Sequence, residues 1–135
     1  MLRAATPRRP SPHPAGVSTK DDLGRLGEQL AADHLSRLGW RILDRNWRCP
    51  VGEIDIVALD DGELVIVEVK TRRSRAFGDP LEGVTDAKLT RLCVLAGAWR
   101  RAHPGVRAAS SRIDLVGVLV PGSAPASIDH LRAAA

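Results

Sequence analysis

The chain has 135 residues, a usual size for one domain, and a hydrophobic fraction of 44%, enough for a modest core. No apolar run reaches the ~18 residues needed to cross a bilayer, so we expect a soluble, cytoplasmic protein without a membrane partner. Two cysteines without CxxC spacing argue against a zinc site or a disulfide framework.

The formal net charge is +4, and its distribution matters more than its size. Residues 1–20 hold four basic residues and no acid, which leaves 16 basic and 16 acidic residues for the remainder. Low hydrophobicity and this charge predict a disordered basic tail over residues 1–20. A domain is expected over residues 21–120 and a flexible carboxyl-terminal segment over residues 121–135.

The first predicted element is an amphipathic helix, because residues suited to one face recur at three or four positions: Leu23, Leu26, Leu30, His34 or Leu35, and Leu38. Asp21 or Asp22 can cap its start, and Gly39 stands where a left-handed cap is expected. A strand is predicted in WRILDRNWR, followed by strands over residues 53–59 and 64–70.

The second half of the domain is predicted to contain a loop, a helix and a strand. A loop is expected over residues 78–83, then a helix capped by Thr85 that runs to about His103, then a strand from Ser111 to Val120. The order αβββαβ predicts an α/β fold of the mixed α+β kind, with a central mixed sheet flanked by helices.

The second and third strands form a hairpin with charged residues in unusual places. Asp61-Gly62 is typical of a two-residue type I′ turn, in which residues whose numbers sum to 123 face each other. Asp55 would then oppose Glu68. Carboxylates so placed repel each other unless they share a cation.

Oxygen ligands in a small cluster suit Mg²⁺, or Mn²⁺, and magnesium usually recruits substrate phosphate for its remaining positions. A phosphodiester is therefore the expected substrate, with Lys70 orienting water or offsetting charge on phosphorus. The competing interpretation is a structural ion network on the sheet face. Glu53 is expected to pair with Lys70 or to remain solvated.

A basic cluster follows this hairpin directly. Arg72, Arg73 and Arg75 could contact nucleic-acid phosphates or form an ordinary solvated run. Lys88, in the first turn of its helix, could also contact backbone phosphate. Arg112 and Asp114 share a strand face and are expected to pair. The four histidines suggest no role, and the tryptophans are expected to pack.

The spacing from Asp55 to Glu68-Val69-Lys70 resembles the metal motif of PD-(D/E)xK nucleases. The segments GRLGEQLAADHL, NWRCPVGEIDIVALDDGELVIVEVKTRR, FGDPLEGVTDAKLTRL and RIDLV resemble the YraN-type family of small bacterial proteins, over roughly residues 24–118. This resemblance implies a restriction-endonuclease-like core related to archaeal Holliday-junction resolvases, and therefore a possible homodimer. Departures are Ile54 in place of the motif's proline, and Ile66 and Ile113 at usually aromatic positions.

The resemblance also implies roles for individual residues. Asp55, Glu68 and the Val69 carbonyl would hold the metal, and Lys70 would be the catalytic lysine. Glu28 matches an acid that the resolvase-like branch places on its first helix. The expected function is a Mg²⁺-dependent nuclease acting on DNA, including branched or damaged DNA. The alternative is a non-catalytic nucleic-acid-binding accessory protein that retains the fold.

Overall fold

A computed structural model describes residues 19–76 and 78–135, so most of the predicted tail, residues 1–18, lies outside the described residues. The described chain forms two α-helices and a five-stranded mixed sheet. In chain order the elements are α1 (Lys20–Arg37), β1 (Arg41–Cys49), β2 (Gly52–Asp60), β3 (Glu63–Arg72), a 3₁₀ helix (Pro80–Gly83), α2 (Asp86–Ala102), β4 (Ser110–Leu119) and β5 (Ser127–Leu131). The predicted α/β class with a mixed sheet is confirmed.

Capping residues determine where α1 begins and ends. The side chain of Thr19, one residue before the helix, accepts a hydrogen bond from the Asp22 backbone N–H at 2.9 Å. Thr19 is therefore the cap, and the expectation that Asp21 or Asp22 takes that place was wrong. A threonine hydroxyl satisfies the orphan N–H, which leaves both aspartates in the first turn beside the positive end of the helix dipole. Gly39 has φ +89°, as its predicted capping position requires.

The strands lie in the order β1-β2-β3-β4-β5. β1–β2 and β2–β3 are antiparallel, β3–β4 are parallel and β4–β5 are antiparallel. A parallel pair needs a long crossover, and the segment containing α2 supplies it. The two helices cover opposite faces of the sheet.

Each face has its own apolar cluster. The α1-side cluster is formed by Ala31, Ala32, Leu35, Trp40, Ile56, Ala58, Val65, Val67, Val116 and Val118. The α2-side cluster is formed by Ile54, Val57, Leu64, Ile66, Leu92, Leu95, Ala96, Trp99, Ile113 and Leu115. Burial on both faces explains why β3 and β4 read as continuous apolar runs.

The carboxyl-terminal segment is ordered, contrary to the sequence prediction. β5 pairs with β4 from Leu119–Ser127 to Leu115–Leu131. Farther along, the Ile113 N–H donates to the Ala135 carbonyl at 2.8 Å. The prediction failed because alternate β5 residues are exposed, so few apolar residues mark the strand, and its stabilising partners lie far away in sequence.

In the described part of the chain, no helix combines the length and the apolar character needed to cross a membrane.

Candidate functional site

The β2–β3 hairpin has the predicted turn and register. Asp61 and Gly62 both have positive φ, 50° and 85°, as a type I′ turn requires. Pairing runs from Asp60–Glu63 to Ile56–Val67, and every pair sums to 123. The register prediction is confirmed over this length.

The pairing then ends, so the expected ladder pairs Asp55–Glu68 and Glu53–Lys70 do not form among the described residues. Strict alternation would place Ile54 and Val57 on opposite faces of the sheet, yet both lie in the α2-side cluster. β2 is therefore irregular at Asp55. Its first residues stay paired with β1, where Trp47 faces Ile54, while β3 continues paired with β4 only.

The Asp55 side chain replaces the missing ladder bond. Its Oδ2 accepts a hydrogen bond from the Val69 N–H at 2.8 Å. Because the N–H and C=O of one strand residue point toward the same neighbouring strand, the Val69 carbonyl faces the same gap as Asp55. Asp55 and the Val69 carbonyl are thus brought together at the open end of the hairpin.

Glu68 supplies the second carboxylate and is only 5% exposed. Its Oε2 lies 3.6 Å from Lys70 Nζ and 3.4 Å from Lys88 Nζ. Lys88 reaches it from the first turn of α2, where the Thr85 hydroxyl accepts a hydrogen bond from the Lys88 N–H at 3.1 Å. One buried carboxylate therefore contacts two ammonium groups from different elements.

The carboxylates of this region affect one another. Burial, followed by the Glu68 charge, raises the pKa of Asp55 to about 7, against an opposing effect of the Val69 hydrogen bond. Burial also raises the pKa of Glu28, while a hydrogen bond with Asn46 opposes that rise and the charges of Glu53 and Glu68 add to it. Asp55, Glu68, Glu28 and Glu53 therefore lie close enough for their charges to act on one another.

These donors fit magnesium better than zinc. Among residues 19–76 and 78–135, no group of three or more His, Cys, Asp or Glu side chains is placed to hold a metal ion. Magnesium needs only one or two carboxylates because it keeps several waters and recruits substrate oxygens. Asp55, Glu68 and the Val69 carbonyl are an all-oxygen set of that kind.

The predicted phosphate-binding residues have different environments. Arg75 contacts Asp79 at 2.9 Å and Asp129 at 3.2 Å, so its guanidinium is already engaged. Arg72 and Arg73 are exposed. Lys88 belongs to the carboxylate site itself.

Glu53 does not take the partner expected from the sequence. Its carboxylate lies 3.6 Å from Arg48 Nε across β1–β2, rather than against Lys70. The irregularity of β2 explains the difference, because the first residues of β2 follow β1 instead of β3.

A second polar cluster surrounds Asp114, and the sequence predicted only its contact with Arg112. Asp114 is 0% exposed and accepts hydrogen bonds from Arg112 at 2.9 and 3.2 Å, which confirms that pair. His130 Nε2 lies 2.8 Å from Asp114 Oδ2, and His130 Nδ1 lies 3.1 Å from His34 Nε2. Sequence reasoning missed both histidines because 96 positions separate them and no local spacing joins them.

Comparison with known proteins places the chain in a family. The sequence model of the uncharacterised protein family UPF0102 matches residues 27–118. The chain belongs to UPF0102. It is 56% identical over 116 residues to the UPF0102 protein of Renibacterium salmoninarum, which covers 86% of this chain and 98% of that protein.

Other UPF0102 proteins extend this similarity across bacteria. The protein of Arthrobacter sp. strain FB24 is 57% identical over 116 residues, covering 86% of this chain and 98% of its own length. That of Acidothermus cellulolyticus is 46% identical over 127 residues, covering 87% and 96%. The YraN-type resemblance is confirmed, and the UPF0102 match spans every residue of the carboxylate site.

Proposed function

We propose that this UPF0102 protein is a Mg²⁺-dependent nuclease that hydrolyses phosphodiester bonds in DNA, with Mn²⁺ as an effective substitute. The observation that carries the proposal is that Asp55 accepts a hydrogen bond from the Val69 N–H and lies close enough to Glu68 for the Glu68 charge to raise its pKa, while Lys70 contacts Glu68. A restriction-endonuclease-like core is part of the proposal, supported by the order of the first helix, the three antiparallel strands, α2 and the parallel strand β4.

Asp55, Glu68 and the Val69 carbonyl would hold the magnesium ion. When bound, magnesium polarises a phosphoryl oxygen and makes water a better nucleophile. The remaining chemistry comes from the side chains around it. The buried position of Glu68 limits competition from bulk water and strengthens its electrostatic contacts.

Lys70 is the group best placed to act on substrate. It leaves β3 two residues after Glu68 on the same face of the strand, and its ammonium offsets negative charge that builds up on phosphorus. Lys88 brings a second ammonium to the same carboxylate and would contact a neighbouring phosphate oxygen.

Glu28 is the candidate for moving a proton. Burial raises the pKa of its carboxyl group, which brings the group closer to neutral pH, where proton transfer is most effective. Asn46 of β1 acts against this rise in the pKa of Glu28. Its role in the proposal is to accept or return a proton near the reacting phosphate.

A second candidate function is a nucleic-acid-binding accessory protein without catalysis. One observation favours it: Glu68 already has two ammonium partners, a stable ion cluster that needs no metal. The four basic residues of residues 1–20 would then supply most of the affinity. Removing them should abolish most salt-sensitive binding.

Cleavage assays separate these functions. Purified protein is incubated with Mg²⁺ or Mn²⁺ and with linear, single-stranded and four-way-junction DNA, beside Lys70→Ala and Glu68→Gln. We expect cleavage that both variants lose. Asp61→Asn is the matched control, because it removes a carboxylate from the turn of the same hairpin and asparagine tolerates positive φ. Equal activity in wild type and Lys70→Ala contradicts the nuclease proposal.

A further inference from the structure

A groove runs beside the carboxylate site, between the first turns of α1 and the adjacent ends of β1 and β2. It has a volume of about 570 Å³, within the roughly 300–1,000 Å³ usual for ligand sites. Its lining includes three basic residues, three acidic residues and one glycine: Lys20, Arg25, Arg48, Asp21, Glu28, Glu53 and Gly24. We call it the α1 groove.

The α1 groove lies near the proposed metal site. Glu28 and Glu53 line the groove, and the charges of both residues also raise the pKa of Asp55. A chain that reaches Asp55 along the surface of the protein can therefore extend into the α1 groove. The charged side chains at the rim of the groove determine which ligands it can bind.

Two arginines at the rim are exposed and weakly held. Arg25 and Arg48 have 72% and 78% of their side chains exposed, and their partners are Asp22 and Glu53. Exposed ion pairs of this kind contribute only about 0–1 kcal/mol, so a phosphate can replace the carboxylate at little cost. Guanidinium groups bind phosphate with two parallel hydrogen bonds.

Gly24 provides an independent observation. Glycine in a helix interior costs roughly 0.5–1 kcal/mol relative to alanine, so a packing reason is usually found. Gly27 has one, since a Cβ there would lie 1.9 Å from Thr71 Oγ1. Gly24 has none among residues 19–76 and 78–135, because a Cβ there would meet none of their atoms within 4 Å. The space that Gly24 leaves open belongs to the α1 groove.

We propose that the α1 groove binds one nucleic-acid strand by its phosphate backbone, and that Gly24 lets this backbone lie against α1. This proposal rests on the proposed function and adds the path by which substrate leaves the metal site. Arg25 and Arg48 hold phosphates at the rim. The strand passes Gly24 one helical turn before Glu28.

The test measures binding of labelled 20-nucleotide single-stranded and duplex DNA in chelator, where no metal-dependent cleavage interferes. We expect affinity to fall about fivefold in Gly24→Ala and more than tenfold in Gly24→Leu, although both substitutions favour the helix and should raise its thermal stability. Gly97→Ala in α2 is the matched control, since its Cβ approaches only the flexible end of Arg101. It should raise stability and leave affinity unchanged.

Arg25→Gln and Arg48→Gln provide a second measurement that does not depend on helix stability. Each should reduce the slope of log affinity against log salt by about 0.7 for single-stranded DNA, the value of one lost phosphate contact. An unchanged slope in both variants contradicts the proposal.

Other outcomes distinguish this proposal from the nuclease itself. If wild type binds no DNA, or if Gly24→Leu binds within twofold of wild type, the α1 groove is not the strand site. If Gly24→Leu weakens binding and wild type cleaves nothing with Mg²⁺ or Mn²⁺, the groove proposal stands and the nuclease proposal fails. If Gly24→Leu retains full metal-dependent cleavage, the nuclease proposal stands and the groove proposal fails.

Discussion

Lys88 Nζ lies 3.4 Å from Glu68 Oε2, closer than Lys70 Nζ at 3.6 Å. The two ammonium groups reach one buried carboxylate from α2 and from β3. Both contacts are to Oε2, so a divalent cation bound through that oxygen would compete with both lysines. Metal binding and release of a lysine toward substrate are therefore linked in the proposed site.

This relationship predicts the behaviour of Lys88→Met. In chelator the variant should lose about 1–2 kcal/mol of stability, because Glu68 loses one partner of its buried charge, or roughly 4–8 °C in Tm. Adding Mg²⁺ should raise its Tm by more than it raises that of wild type, because less positive charge competes with the ion. Thermal denaturation with and without Mg²⁺ measures both effects, and Lys20→Met serves as the exposed control. A smaller Mg²⁺-induced rise in Lys88→Met contradicts the linkage.

The raised pKa of Asp55 predicts that the stability of the protein depends on pH. Burial and Glu68 raise its pKa in the folded state to about 7 from an ordinary value of 3.8. Between these values the folded state binds more protons than the unfolded state, so stability in chelator should fall as pH rises from about 4 to above 7. One pKa unit corresponds to about 1.4 kcal/mol.

Asp55→Asn should remove that dependence. Asparagine keeps an oxygen that can accept from the Val69 N–H and carries no charge, so the variant should be more stable than wild type in chelator above pH 7. A gain of about 1 kcal/mol, roughly 4 °C, is expected, and any Mg²⁺-induced gain should disappear. Melting curves across pH 4–8 measure it. Lower stability of the variant at pH 8 would instead favour a structural ion network.

Asp114 should show the opposite pH dependence. Burial raises the pKa of Asp114, but hydrogen bonds from His130, Arg112 and the Ala133 N–H outweigh that effect, and the net pKa lies below its ordinary value. Its stabilising contribution is therefore present above the ordinary aspartate pKa and is lost as pH falls through the lower folded value. Asp114→Asn should unfold more easily at pH 7, by about 1–3 kcal/mol, because Arg112 keeps Asp60 and Glu63 as partners. The variant should also lose part of its acid sensitivity below pH 4. Chemical denaturation at pH 3 and pH 7 measures the difference.

Gly27→Ala tests how α1 packs on the sheet. The added Cβ would overlap Thr71, at 1.9 Å from Oγ1 and 2.7 Å from Cγ2, so a loss of about 1–3 kcal/mol is expected. Thr71→Ala removes both of these atoms and should restore part of the loss in the double variant. Denaturant titrations of both single variants and the double variant give the coupling energy. Purely additive effects would mean that the two residues do not contact each other.

The sequence predicted the elements whose signals are local. The Asp61-Gly62 turn determines which residues of β2 and β3 face each other as far as Ile56–Val67, and Thr85 marks the start of α2. Both depend on a few neighbouring residues with strong conformational preferences. Features that depend on residues far apart in the sequence had no such local signal.

The irregularity at Asp55 could not be predicted, because Ile54, Ile56 and Val57 are all buried apolar residues and their pattern does not say which face each one occupies. Lys88 was expected at a phosphate, and its contact with Glu68 depends on how α2 packs against the sheet. β5 and the His34–His130 contact likewise depend on residues that only the tertiary fold brings together.

Asp55 serves the backbone as well as the proposed chemistry, since its side chain satisfies a Val69 N–H that β2 leaves without a ladder partner. A relative that had given up catalysis would still need an oxygen acceptor at this position, and aspartate or asparagine would persist there by architectural necessity. If the proposed function were lost in a relative, the change would first become visible at Lys70 and Lys88, whose loss removes the ammonium partners of Glu68 but not the Asp55–Val69 hydrogen bond.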